Sequence, residues 1–275
     1  MLSLSPLKVT ILSLNRILVQ WSIDPTDDDL SKFRFTLARS NSPGGPFDRI
    51  APDLTNVFQF IDEAEQMKSN WRKIYYQLSV RDVRTQATLL VGPATAEDLP
   101  DATLLEIRRR TDLYLTRFVG IPAGLLIQKT FGQRCSSCWD YVKSRVKSSR
   151  CLSCYGVGFL GGYFPQVNFP LASSPSPELV SILETGEKQP NQTNFWTGFY
   201  PAASPRDIIV EFRDQKRWRV VTVGKTERLR VRSRQIMSVV EVNRNDVEYE
   251  IPITPWEFPA ETFLGFRQPY GSGLL

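Results

Sequence analysis

Apolar and polar residues alternate through most of this chain, and that alternation predicts its architecture. The segments KVTILSLNRILVQWSI (8–23), FRFTLARS (33–40), VFQFIDE (57–63), IYYQLSVRDV (74–83) and TQATLLVGP (85–93) all carry it. Between them lie the acidic turn PTDDD and SPGGPFDRI, a turn into a short strand. A period of two buries one face of a strand and wets the other. Seven short strands at this spacing predict a β-sandwich over residues 1–94. Asp27, Asp28 and Asp29 fall in a turn and read as a solvated acidic run. Residues 95–100 read as a linker, and the period then changes. In DATLLEIRRRTDLYLTRFVG (101–120), Leu104, Leu105, Ile107, Leu113, Leu115 and Phe118 form a helical stripe flanked by Arg108, Arg109, Arg110 and Arg117. Asp101 or Thr103 is the expected cap, and Gly120 with Pro122 the stop. GLLIQKTF reads as a strand, and residues 171–205, rich in Pro, Ser, Asn, Gln and Thr, as an extended loop anchored by Trp196, Phe199 and Tyr200. From Asp207 the period of two returns in DIIVEFRD, RWRVVTVGKTERLR, VRSRQIMSVVEVN and DVEYEIPI. These predict a small antiparallel barrel with Trp218 and Tyr249 in its core.

The expected organisation is therefore mainly β and multidomain. It comprises a sandwich (1–94), one helix with a cysteine module (95–170), a loop (171–206), a small barrel (207–254) and a C-terminal arm (255–275) that orders against a neighbour. The cysteines change the picture most. Cys135, Cys138, Cys151 and Cys154 are the only four in the chain, spaced C-x2-C-x12-C-x2-C. Each pair can present two thiolates to one ion, and the spacer lets the second pair complete a tetrahedron, as in a four-cysteine zinc knuckle. Four soft thiolates select zinc and close its shell, so the expected zinc is structural. Two disulfides or four free thiols are the alternatives. Disulfides need an oxidising compartment, and the residues after Met1 lack the charged-then-apolar pattern of a signal peptide.

Charge adds two basic regions to a mild net charge of +5. Residues 102–150 hold ten Lys/Arg against three acids, and residues 213–234 hold nine against two. Arg228, Arg230, Arg232 and Arg234 alternate, which on one strand would place four guanidiniums on one face. Such a face suits DNA or contacts between subunits, and a solvated basic surface is the plain alternative. No apolar run approaches the roughly 20 residues a membrane span requires, so no membrane partner is expected. An enzyme is disfavoured. The chain has no histidine for acid–base work and no G-x-S-x-G, and thiolates committed to zinc leave no cysteine nucleophile. The glycines at 156, 158, 161 and 162 allow tight turns around a metal knuckle; they lack the Lys-Ser/Thr ending of a phosphate loop.

Two resemblances sharpen these expectations. With Trp21 in its second strand, and Tyr75 and Tyr76 preceding Leu78 and Val80 in its sixth, the N-terminal segment resembles a fibronectin type III domain, an immunoglobulin-like sandwich. The resemblance implies a core role for Trp21 and a corner hydrogen bond from one tyrosine. Such modules bind or space. Farther along, Cys135, Cys138, Trp139, Asp140, Cys151, Cys154, Gly156, Gly158, Phe159, Gly161, Gly162 and Tyr163, followed by the DIIVE and RWRVV strands, resemble structural proteins of tailed bacteriophages, particularly neck or head–tail connector components. That resemblance, over about residues 104–253, implies a virion protein that assembles with copies of itself into a ring and meets portal or adaptor and tail proteins. Packaged DNA would lie in the lumen. A baseplate or tail-hub component and a cellular zinc-ribbon nucleic-acid binder are the competing readings.

Overall fold

The computed structural model describes residues 3–13, 16–26, 28–63, 73–96, 101–173 and 192–258. Most of the expected C-terminal arm (259–275), residues 174–191 of the expected loop, Asp27 and most of linker 95–100 lie outside them. The N-terminal strands are β1 (Lys8–Ser13), β2 (Arg16–Gln20), β3 (Phe33–Ser40), β4 (Asp48–Leu54), β5 (Gln59–Asp62), β6 (Tyr75–Asp82) and β7 (Thr88–Ala94). They form two antiparallel sheets, β1-β2-β5 and β4-β3-β6-β7. This is the sandwich that the alternation predicts. Phe35 and Leu37 on β3, and Tyr76, Leu78 and Val80 on β6, are buried at every second position, whereas Ile17, Leu18 and Val19 on β2 are buried in succession. Trp21 is buried and lies 6.1 Å from the Phe35 ring. Tyr76 is the tyrosine that makes the long-range bond, but its hydroxyl donates to a side chain, Asp62 Oδ2, at 2.8 Å. Arg39 holds the same carboxylate at 2.9 Å. Burial, then the Asp62 charge, raises the Tyr76 phenol well above its ordinary value.

Helix α1 (Ala102–Tyr114) continues as a π-helical turn through Val119. Asp101 caps it, accepting from the Leu104 amide at 2.8 Å. The expected apolar stripe is only partly right. Leu104, Leu105 and Leu115 are buried, whereas Ile107, Leu113 and Phe118 are exposed. In their place the helix buries Arg108, whose guanidinium lies 3.5 Å above the Phe199 ring and donates twice to the Arg232 carbonyl. Burial brings its pKa down to about 10. The long arginine side chain satisfies a strand-end carbonyl that an apolar residue would leave bare.

After the helix come β8 (Ile121–Leu126), two short strands of the cysteine segment, β9 (Trp139–Asp140) and β10 (Arg145–Val146), and then β11 (Val167–Ser173), β12 (Gln192–Gly198), β13 (Ile208–Glu211), β14 (Lys216–Arg228) and β15 (Val231–Glu241). The barrel is larger than the 207–254 segment predicts, closing in the order β11-β12-β15-β14-β13-β8. The segment read as the loop 171–206 thus contributes the end of β11 and all of β12. Their polar residues are tolerated because β12 pairs along its whole length with β15, from Gln192 opposite Val240 to Gly198 opposite Arg234. Conversely, DVEYEIPI is no strand. Its Val247–Glu250 portion is a 3-10 helix, and Tyr249 lies at the rim, where its hydroxyl accepts from the Arg217 amide. Buried Arg217 donates to the Glu248 and Ile251 carbonyls and fastens this segment to β14. The barrel core is Ala123, Leu125, Phe169, Leu171, Phe195, Ile209, Trp218, Val220, Met237 and Val239.

Two compact units result, residues 1–105 with 129–163, and residues 106–128 with 164–275. The cysteine module belongs to the first, with the sandwich. In sequence it interrupts the barrel, inserted between β8 and β11. Chain continuity predicts a helix-plus-cysteine domain over 95–170; packing divides that segment instead.

Candidate metal centre

The module is short of apolar residues. Its buried cluster is Cys135, Cys138 and Cys154, with Cys151 and Val146 against them. The backbone supplies the order. Strand β9 pairs with β10 to close the first knuckle, and the Asp140 carboxylate accepts from the Val142 and Lys143 amides within the turn. The carbonyl oxygens of Cys135 and Cys138 receive the amides of Trp139 and Lys147, at 3.0 and 2.8 Å. Those of Cys151 and Cys154 receive the amides of Tyr155 and Val157, at 2.7 and 2.9 Å. The glycines do what tight turns require. Gly158 has φ +88°, its carbonyl takes the Cys135 amide, and a Cβ there would lie 2.9 Å from Val146 and 3.1 Å from the Trp139 ring. Gly162 has φ +62°, and a Cβ would meet the Cys154 carbonyl at 2.6 Å.

All four sulfurs lie within 4.8 Å of one another, and the four cysteines are free thiols rather than disulfides. Cys138 and Cys154 Sγ are 3.0 Å apart, and Cys135 and Cys151 Sγ 3.9 Å. A zinc ion with bonds of about 2.3 Å in a tetrahedron needs sulfur–sulfur edges of about 3.8 Å. The donor set therefore fits one such ion with small adjustments. Electrostatics points the same way. Burial raises the thiols of Cys138 and Cys154. Burial also opposes ionisation of Cys151, but hydrogen bonds from the Ser153 amide, the Cys138 and Cys154 thiols and the Cys154 amide outweigh it and hold that thiol at about 7. Four thiols this close resist sharing more than a little negative charge; a divalent cation removes that resistance.

One contact in the module has only a weak sequence signal. Arg134, immediately before Cys135, places its guanidinium 3.9 Å from the Trp139 ring and 4.2 Å from the Phe159 ring. It bridges the two knuckles, since Trp139 follows the first cysteine pair and Phe159 the second. The module joins the sandwich through the Thr26 backbone, which exchanges hydrogen bonds with Gly132 and Arg134 at 3.1 and 2.9 Å.

The second predicted site does not form as expected. Arg228, Arg230, Arg232 and Arg234 do not share one strand face, because the chain reverses between them. Arg228 ends β14 and pairs with Val231, leaving Leu229 and Arg230 as a two-residue turn. Arg232 and Arg234 lie on β15, alternating with buried Ser233 and Gln235. The four cations thus surround one hairpin tip.

No family model matches this chain, and no curated protein matches it. A solved structure of β-1,2-glucanase from Parabacteroides distasonis is 16% identical, covering 42% of this chain and 16% of that chain, with a TM-score of 0.26. A likeness that low carries no argument about fold or activity.

Proposed function

We propose that this chain is a non-enzymatic structural protein of a tailed-phage virion, assembling with copies of itself into a neck ring that joins portal and tail and holding one structural zinc through Cys135, Cys138, Cys151 and Cys154. The observation that carries the reading is a combination of three parts in one chain. A closed six-stranded barrel carries a long hairpin, β14–β15, whose β14 side is exposed from Gly224 to Arg228. A fibronectin-like sandwich supplies a second rigid module, and the cysteine knuckle beside it is shaped for a metal with a closed shell. Rigid modules with a projecting arm suit a ring subunit, which must hold shape under load and reach its neighbours. The closed shell of four thiolates favours a structural role, because zinc with four protein ligands offers no position for water or substrate.

The test is a reconstruction of the intact particle encoded with this chain, with the chain traced in it. Density in a ring between portal and tail is the expected result. Density in the distal tail would replace the neck by a baseplate or tail hub. Absence from the particle, with salt-sensitive binding of free DNA by the purified chain, would overturn the proposal in favour of a zinc-ribbon nucleic-acid binder. Elemental analysis of reduced, purified protein is expected to give about one zinc per chain, and a metal-free result rejects the zinc assignment.

A further inference from the structure

The β14–β15 hairpin leaves the barrel as a two-stranded ribbon. On one side, β14 pairs with β13 as far as Arg219, and Val220 then bonds to the Arg206 and Asp207 backbones. On the other, β15 pairs with β12 from Arg234 onward. Beyond these residues the two strands bond to each other, out to Arg228 opposite Val231. Buried Arg108 braces the base of the ribbon through the Arg232 carbonyl.

The ribbon is strongly basic. Residues 225–234 carry Lys225, Arg228, Arg230, Arg232 and Arg234 against one acid, Glu227. Lys225, Arg228, Arg230 and Arg234 are exposed, and Arg232 is half-buried. Among the described residues, no ion pair takes up Lys225, Arg230, Arg232 or Arg234. The tip between these cations is apolar and strained. Leu229 and Arg230 turn the chain with φ +50° and +66°. A two-residue turn of this kind favours Asn-Gly, because side chains strain a left-handed backbone. Leu229 is also 77% exposed, so it adds nothing to the core. A lone leucine held out on a strained turn, with an arginine on either side, stabilises nothing in this fold. That is the pattern of a residue kept for a partner.

The partner must use a dense set of cations and one apolar side chain together. Duplex DNA does both. Its phosphates recur roughly every 3.4 Å along each strand, and a narrow minor groove draws arginine. An apolar side chain presented at the minor groove can enter between base pairs and kink the duplex. An anionic bilayer fits less well, because one leucine between two arginines cannot reach the acyl chains without taking their guanidiniums with it.

We infer that the β14–β15 hairpin binds duplex DNA, with Leu229 wedged between base pairs from the minor groove and Arg228, Arg230, Arg232 and Arg234 on the flanking phosphates. The inference rests on the hairpin alone. It goes beyond the ring reading, which asks only for a projecting arm, and either can fail without the other.

The experiment uses full-length, zinc-loaded chain and an end-labelled duplex of about 20 base pairs, with binding read by anisotropy and bending by energy transfer between the labels. The parent is expected to bind at low salt, to bend the duplex, and to bind several-fold tighter when a central mismatch makes the step easier to open. Two variants separate the parts. Arg230→Ala combined with Arg234→Ala is expected to weaken binding at least tenfold and to lower the log–log salt slope by about 2. Leu229→Asn keeps the cations and suits the left-handed turn, so its barrel is expected to unfold no earlier than the parent's. It should keep the salt slope and lose both the bend and the mismatch preference. A parent chain that does not bind duplex DNA at about 50 mM salt overturns the inference. So does a bend that survives Leu229→Asn, or binding indifferent to the arginine variant, which would place the DNA elsewhere on the chain. Tighter binding to phosphatidylserine-containing vesicles than to the duplex, lost in Leu229→Asn, would overturn it in favour of a membrane surface. None of these outcomes bears on where the chain lies in a particle.

Discussion

The barrel and the cysteine module hold themselves together by opposite means. The barrel buries about ten apolar side chains in one closed core, with Phe195 and Trp218 edge-to-face at 5.4 Å at its centre. The module's cluster is three buried cysteines, with Phe159 and Tyr163 its other buried apolar side chains, and the rest is turns. Apolar burial is spread over many residues, so a single change costs the barrel a fraction of its stability. The metal ligation proposed for the module would be concentrated on four atoms. The comparison teaches that equal order in two regions can rest on unequal redundancy, and each of the following measurements presses on that difference.

The largest effect is expected from chelation or from Cys138→Ser. Structural zinc contributes on the order of 10 kcal/mol to small domains, so amide exchange should become fast across residues 129–163 while β8 and β11–β15 keep their protection. Fast exchange in both regions would show that the barrel depends on the metal too. Next is Phe195→Ala, expected to lower barrel stability by about 3–5 kcal/mol without releasing zinc, as read by denaturant unfolding alongside metal content.

A third test uses pH. Asp207 is buried, and burial lifts its carboxyl to about 6 even though the Gln128 and Ser204 amides donate to it and favour the charged form. Its unfolded value is near 3.8. The folded state therefore holds this proton across pH 4–6 while the unfolded state has lost it. The Asp207 contribution to stability is full below about pH 4 and declines as pH rises through about 6, by on the order of 3 kcal/mol. Barrel unfolding followed from pH 4 to 7, compared with Asp207→Asn, should show a steeper decline in the parent. The smallest effect is expected at Gly158→Ala. The strained φ and the crowding against Trp139 should cost about 1–3 kcal/mol, read as weaker zinc retention against a competing chelator with barrel unfolding unchanged.

Much of this was legible in the sequence for a plain reason. The cysteine spacing confines four thiols to 20 residues, and the glycines at 156, 158, 161 and 162, all with positive φ, mark where the chain must turn tightly. The sandwich was equally open to reading, because strands such as β3 and β6 carry their own alternation. Local pattern misled where a polar residue took an apolar place or an apolar one faced solvent, as with Arg108 and Phe118 on the helix. The arginine alternation at 228–234 misled because Leu229 and Arg230 form an uncommon turn with no Gly or Asn to announce it.

What the sequence by itself determined is thus whatever depends on neighbours within a turn or two, namely strand periods, the helix with its cap at Asp101 or Thr103, and the clustering of the four thiols. Only the tertiary structure decided which strands close the barrel. β8 pairs with β11 across the inserted cysteine module and with β13 some 80 residues on, as Leu125 opposite Val167 and opposite Ile209 shows. Nothing in the local period of β8 or of the polar β12 names those partners. Their choice follows from burying both inner faces at once, a condition met only when distant segments are brought together.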